Sequence, residues 1–145
     1  MIPQPVALIG ATGLIGSHIL DQLKNDTDIQ SIRVLVRKPV EINHPKVEVI
    51  RLDFADPGAY RKAIAGCQAV FCAIGTTNAK VKGDKTAYRK VDYDIPVNAA
   101  RICAETGVQQ FLLVSSVGAN SQSNNFYLKL KGEVEDEVSR LSIPS

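Results

Sequence analysis

The stretch Val6–Gly16, VALIGATGLIG, constrains the fold more than any other part of the chain. A short apolar run leads into Gly10, Gly13 and Gly16, and an apolar-periodic segment with Leu14, Ile15, Ile19, Leu20 and Leu23 follows at once. That order reads as strand, glycine turn, helix. A helix N-terminus carries unpaired N–H groups and partial positive charge, so a phosphate is held there wherever the backbone lets it approach. In such a turn the first glycine makes the bend, the second admits a pyrophosphate and the third lets helix pack on strand. Gly10, Gly13 and Gly16 take these parts, with Thr12, Leu14 and Ile15 beside them. The spacing is GxxGxxG, not the more usual GxGxxG, and no Lys-Ser/Thr pair follows to make an ATP-type phosphate loop. Glycines placed for packing alone are the plainer reading, and the order of strand, turn and helix weighs against it.

A second strand, Ile32–Val36, is a continuous apolar and β-branched run suited to a parallel strand covered on both faces. It ends in Arg37-Lys38-Pro39 without an acid. An acidic residue there holds a ribose 2′-hydroxyl, whereas a basic one accommodates a 2′-phosphate. Arg37 and Lys38 therefore point to NADP(H) over NAD(H), against the plainer reading of a basic, solvated loop tip.

The third strand, Val47–Leu52, alternates and is expected nearer an edge; Asp53-Phe54 follow it, and Asp56-Pro57 open a short helix to about Ala65. A fourth strand, Gln68–Ile74, ends in Gly75-Thr76. Ligands of doubly wound sheets bind outside the carboxyl ends of the strands, so Asp53, Phe54, Ala73, Ile74, Gly75 and Thr76 are expected to border the adenine and ribose. Ordinary strand-to-helix turns would look the same. Residues 78–85 are polar and basic and are expected to form a mobile loop beside the site.

Helix then runs from about Thr86 to Thr106, either kinked at Pro96 or broken, with a second helix starting near Asp94. Its apolar set Ile95, Ala99, Ile102 and Cys103 should face the sheet. Gln110–Ser116 is the fifth strand. From about Asn125 a last helix carries Phe126, Leu130, Val134, Val138 and Leu141 on one stripe, with Glu133, Glu135, Asp136 and Glu137 mostly outward.

The 145 residues suffice for one domain, and a net charge of +2 with 22% charged residues suggests neither nucleic acid nor membrane as a partner. No apolar run approaches the roughly 20 residues of a membrane helix, and the N-terminus MIPQP lacks a signal-peptide pattern, so the chain is expected in the cytoplasm. Cys67, Cys72 and Cys103 form no CxxC pair and read as small buried hydrophobes. His18 and His44 stand apart from them, so no metal is expected.

Reactive groups fall at two places: Ser115-Ser116 at the end of the fifth strand, and Tyr127 and Lys131 four apart on the last helix. Lowering a tyrosine pKa from about 10 by about three units takes about 4 kcal/mol. An ammonium about 4 Å away supplies roughly that at an effective dielectric of about 20. Tyr127 would then exchange a proton with a carbonyl or alcohol oxygen that Ser116 holds, while Lys131 could also bind the nicotinamide ribose. On its own, Tyr and Lys at this spacing is a weak signal.

Taken together, GATGLIG, FCAIGTT, YRKVDYDIP, FLLVSSVGA and NFYLKLKGEVE resemble the short-chain dehydrogenase/reductase superfamily. More narrowly they resemble its atypical branch, typified by the Tat-interacting-protein-like oxidoreductases near the NmrA-like group. The resemblance covers nearly the whole chain. It implies an α/β, Rossmann-like doubly wound parallel sheet with strand order 3-2-1-4-5, NADP(H) binding, and a catalytic set of Ser116, Tyr127 and Lys131, with Ser115 as the alternative serine. It also implies further strands after the Tyr-Lys helix, so the chain is expected to be truncated at its C-terminus. The apolar fifth strand would be left as an open edge for a homodimer or another protein partner. The function expected is hydride transfer between NADP(H) and a carbonyl or alcohol. A dinucleotide-binding sensor or interaction module with little turnover is the second reading, and a nucleotide-sugar epimerase a remote third.

Overall fold

A computed structural model describes residues 4–74, 85–114 and 119–141, with the side chains of Tyr88 and Tyr127 outside that description. Strand β1 (Val6–Ile9) enters the glycine turn and helix α1 (Leu14–Asn25), followed by β2 (Ile32–Val36), β3 (Val47–Arg51), α2 (Pro57–Ile64) and β4 (Ala69–Cys72). Then come α3 (Lys85–Arg89), a π-helical turn over Lys90–Asp94, α4 (Ile95–Thr106), β5 (Gln110–Leu113) and α5 (Phe126–Ser139). Among the described residues the strands form one sheet in the order β3-β2-β1-β4-β5, and every pair is parallel. This is the expected Rossmann-like α/β fold.

Strand alternation divides the core. Val6 and Leu8 pack with Leu20, Leu23, Ile32 and Val34 on the α1 side, while Ala7 and Ile9 pack with Leu35, Tyr60, Val70 and Cys103 on the other. The central strands are covered on both faces, and the third strand is half-buried at an edge as its alternation predicts. Ladders are shorter than the apolar runs. Paired positions stop at Val36–Arg51 and Cys72–Leu113, where the chain leaves the sheet towards the carboxyl-end loops.

Caps follow the sequence chemistry. Asp56 accepts from the N–H groups of Gly58 and Ala59 ahead of Pro57, and Asn125 accepts from the N–H of Leu128. At the other end of α2, Arg33 of β2 donates to the carbonyls of Ala63 and Ala65 at 3.0 and 2.9 Å, a cation on a helix C-terminus. Of the two alternatives around Pro96 the structure takes the second: a short helix, α3, is followed by α4, which starts at Ile95 with Asp94 as its N-cap. A π-helical turn precedes Ile95 and Pro96, widening the backbone where a proline ring would crowd the preceding turn. The Tyr60 hydroxyl donates to the Ile95 carbonyl at 2.8 Å and ties this junction to α2. On α5, Leu130 and Val134 are buried, but Phe126, Val138 and Leu141 are only half-buried. Of the acids expected outward only Asp136 is fully exposed; Glu137 pairs with Arg101 of α4 at 3.3 Å, drawing that face against its neighbour.

Candidate functional site

The three glycines of the first turn are glycines for different reasons. Gly10 has φ +91°, and a Cβ there would lie 2.7 Å from the backbone of Ala73 and Ile74, so the turn rests directly on the end of β4. A Cβ on Gly16 would lie 1.7 Å from the Gly10 carbonyl oxygen, so α1 packs on β1 only without a side chain. Gly13 is under neither constraint. Its φ of −78° suits any residue, and the nearest atom to a Cβ would be Gly10 O at 3.7 Å. Neither backbone nor packing requires a glycine there. The missing side chain leaves space beside the α1 N-terminus, on the wall of a cleft, and that space suits a pyrophosphate.

The cleft is about 710 Å³, within the range of small-molecule sites. Gly10, Thr12, Gly13, Arg37, Lys38, Phe54, Ala73 and Ile74, all expected at the site, line it. Sequence reasoning missed Lys90 and Val91 of the π-helical turn, Ala87 of α3, and Val40. Among the described residues the cleft is therefore lined by three cations, Arg37, Lys38 and Lys90, and by no carboxylate.

Other expected residues stand elsewhere. Asp53 lines an adjoining cavity of about 810 Å³ with Arg51, Asp94 and Asn98, which shares Arg37, Phe54 and Lys90 with the first. One Asp53 carboxylate oxygen accepts from the Ala55 N–H at 2.9 Å, closing the turn after β3. Leu14 and Ile15 are 78% and 51% exposed at the start of α1 and do not line the cleft, because a helix starting at Leu14 turns its buried face to Gly16, Leu20 and Leu23. Gly16 serves packing. Gly75, Thr76, Ser115, Ser116 and the loop at 78–84 lie outside the described residues, as does the Tyr127 side chain; position 127 is in the first turn of α5, one turn before Lys131.

Lys131 is buried, and its Nζ lies 3.7 Å from Oδ2 of Asp92, which is also buried, at the centre of the π-helical turn. The sequence reading gave Lys131 to Tyr127 and a ribose and passed over Asp92. A signal was available: Asp92 falls three and seven residues before Ile95 and Ala99, on the apolar face of that segment, where a charge is rarely left without a partner. The pair sits behind the cleft wall, since Asp92 follows Val91 and both charges act on Cys72, next to Ala73. Burial pushes the Cys72 thiol up to about 11; the Ile74 N–H and then Lys131 oppose the rise, and Asp92 adds to it. Burial likewise raises Cys103 to about 12 and holds Tyr60 well above the usual tyrosine range. All three cysteines are free and buried, as small hydrophobes should be. Among the described residues no group of His, Cys, Asp and Glu could hold a metal, and no helix is long and apolar enough to cross a membrane.

Comparison with known proteins places this geometry. The chain is 35% identical over 138 residues to "Protein FMP52, mitochondrial" of Debaryomyces hansenii, covering 94% of this chain and 61% of that protein. It is 36% identical over 138 residues to the protein of the same name from Meyerozyma guilliermondii (94% and 59%). With that from Aspergillus clavatus the identity is 33% over 142 residues (94% and 60%). The chain thus spans about three fifths of the length of these relatives. Their names overturn the expectation of a cytoplasmic protein, which rested on the lack of a recognisable N-terminal targeting pattern.

Solved structures share the fold at low identity. The enzyme WbmH of Bordetella bronchiseptica in complex with NAD+ matches with TM-score 0.78 and 17% identity, over 98% of this chain and 54% of that one. Uronate dehydrogenase from Agrobacterium tumefaciens matches with TM-score 0.73 and 16% identity, over 92% and 53%. A family model described as NAD(P)H-binding matches residues 10–140, from the first glycine of the turn to just past the end of α5. The chain belongs to that NAD(P)H-binding family, in keeping with the short-chain dehydrogenase/reductase resemblance of its motifs.

Proposed function

We propose that the protein is an NADP(H)-dependent oxidoreductase of the short-chain dehydrogenase/reductase type, working on a small carbonyl or alcohol compound in mitochondria. The observation that carries this reading is the cleft itself: a glycine turn with room at Gly13, and Arg37, Lys38 and Lys90 around it with no carboxylate among the described lining residues. That charge pattern favours a 2′-phosphate over a bare ribose diol. The mitochondrial assignment follows from the names of the relatives.

When bound, the nicotinamide supplies or accepts the hydride. The chain does the rest. Ser116, with Ser115 as the alternative, donates a hydrogen bond to the substrate oxygen, and Tyr127 gives or takes the proton on that oxygen. Lys131, one helical turn along, holds the tyrosine's charge in check and reaches a ribose hydroxyl.

One observation favours the second reading, an NADP(H)-binding sensor with little turnover: the Lys131 ammonium is already engaged by Asp92, and the residue is only 7% exposed. NADPH oxidation with a panel of aldehydes and ketones separates the two. The enzyme reading predicts turnover that Tyr127→Phe lowers at least about a hundredfold, within the range of general acid–base catalysis, while NADPH binding stays intact. No turnover, or turnover unchanged by the substitution, supports the sensor.

A further inference from the structure

We infer that Lys90, in the π-helical turn, is a specificity-determining residue of the dinucleotide site: together with Arg37 it grips the 2′-phosphate at the passage between the two cavities. The inference rests on the NADP(H) reading above and says which cations do the selecting.

Arg37, Phe54, Lys90 and Val91 line both cavities, so these four residues border the passage from one to the other. Lys38 lines only the first cavity and Arg51 only the second. Among the described residues, Arg37 and Lys90 are therefore the cations common to both. The carboxylates of Asp53 and Asp94 line the second cavity and not the first. They repel a phosphate dianion from that end, which leaves the passage as the place where attraction outweighs repulsion.

Both cations stand on seats fixed by the fold. Arg37 follows the buried Val36, whose carbonyl accepts from the Leu52 N–H at 2.9 Å and holds the end of β2 to the end of β3. Lys90 precedes the buried Val91, and the Tyr60 hydroxyl pins the Ile95 carbonyl just past the π-helical turn. Phe54, a buried residue of the same passage, packs edge-on against Tyr60 with ring centroids 4.9 Å apart. Lys90, Asp94 and Asn98 follow one another at four-residue spacing and all line the second cavity, as one helical stripe does. Lys90, at the start of that stripe, is the member that also reaches the first cavity. Arg37 and Lys90 are exposed, and among the described residues neither is in an ion pair.

The chemistry of the two residues is complementary. A guanidinium takes two phosphate oxygens in a fork, and an ammonium adds a compact charge and further donors from another side. NADH differs from NADPH only in lacking the 2′-phosphate, and a ribose hydroxyl gives neither cation a charge to meet. Lys90 therefore acts on NADPH and hardly on NADH, while Lys38, confined to the first cavity, contributes little to the choice.

The test is a charge series at one position. The chain and its Lys90→Arg, Lys90→Gln and Lys90→Glu variants are titrated with NADPH and NADH by calorimetry, with Tm recorded for each. NADPH affinity should stay near wild type in Lys90→Arg, fall about tenfold in Lys90→Gln, and fall further in Lys90→Glu. NADH affinity should change far less, and Tm should hold throughout because the side chain is exposed. Lys38→Gln should leave the ratio of the two affinities near that of wild type. Should one variant of the series fail to fold, the order of the others decides. Equal losses for both nucleotides would put Lys90 on the shared pyrophosphate and overturn the inference, as would a flat series or a loss of selectivity in Lys38→Gln alone. A wild type without preference for NADPH would sink the NADP(H) reading and this inference with it. A preference that depends on Arg37 but not on Lys90 would sink this inference alone.

Discussion

The cleft wall at α1 and the buried charged pair at α5 are built on opposite principles. At the α1 end the protein makes room by leaving side chains out: Gly10 and Gly16 let backbone meet backbone, and Gly13 leaves a gap that no described residue fills. At the α5 end it buries charge, setting Lys131 against Asp92. The cleft wall is shaped for a ligand phosphate, and the α5 region holds a cation against a buried carboxylate. Binding and chemistry therefore depend on different parts of the sequence, and substitutions should separate them.

The largest effect is expected at Gly16. Its Cβ would overlap the Gly10 carbonyl, a backbone group with no room to retreat, so Gly16→Ala should cost about 3 kcal/mol or more in chemical denaturation. A loss below about 1 kcal/mol would mean that helix and strand are less closely packed than described. Gly13→Ala sharpens the contrast. With φ at −78° and no contact nearer than 3.7 Å among the described residues, stability should stay within about 0.5 kcal/mol, or rise as the unfolded chain loses freedom. NADPH affinity should nonetheless fall about tenfold or more, or about 1.4 kcal/mol. Equal losses in both would make Gly13 a packing glycine like Gly16.

A smaller effect concerns the core beside the buried pair. The folded Cys72 and Cys103 thiols sit at about 11 and about 12, above the ordinary value of 9.0. Raised folded values mean that their contribution is fully present below about pH 9 and is lost as pH rises through 11 to 12. Tyr60 acts in the same direction. Tm should therefore fall above about pH 9, and Cys72→Ala should flatten the fall. A Tm independent of pH up to 11 contradicts the burial of the thiols.

The cleft wall was legible in the sequence, the buried pair only partly. Glycine spacing, the apolar runs of β1 and β2, and the cap Asp56 state their geometry through local backbone chemistry, and the family resemblance supplied the strand order. Asp92 did not stand out, because a carboxylate in a helical pattern reads as a solvated residue until the element it packs against is known. The π-helical turn was hidden for a related reason. Pro96 announces that the helix must adjust, but only packing through Tyr60 and Lys131 determines how. Leu14 and Ile15, counted with the apolar face of α1, are exposed because the helix begins at Leu14 with its buried stripe already turned inward.

The central claim, that this cleft takes NADP(H), is tested most directly by calorimetric titration of the chain with NADPH and NADH, alongside Arg37→Ala. The account predicts saturable one-site binding, tighter for NADPH, with Arg37→Ala weakening NADPH about tenfold or more and NADH little. Equal affinities that Arg37→Ala weakens equally would contradict the phosphate assignment, and no binding of either nucleotide would contradict the site.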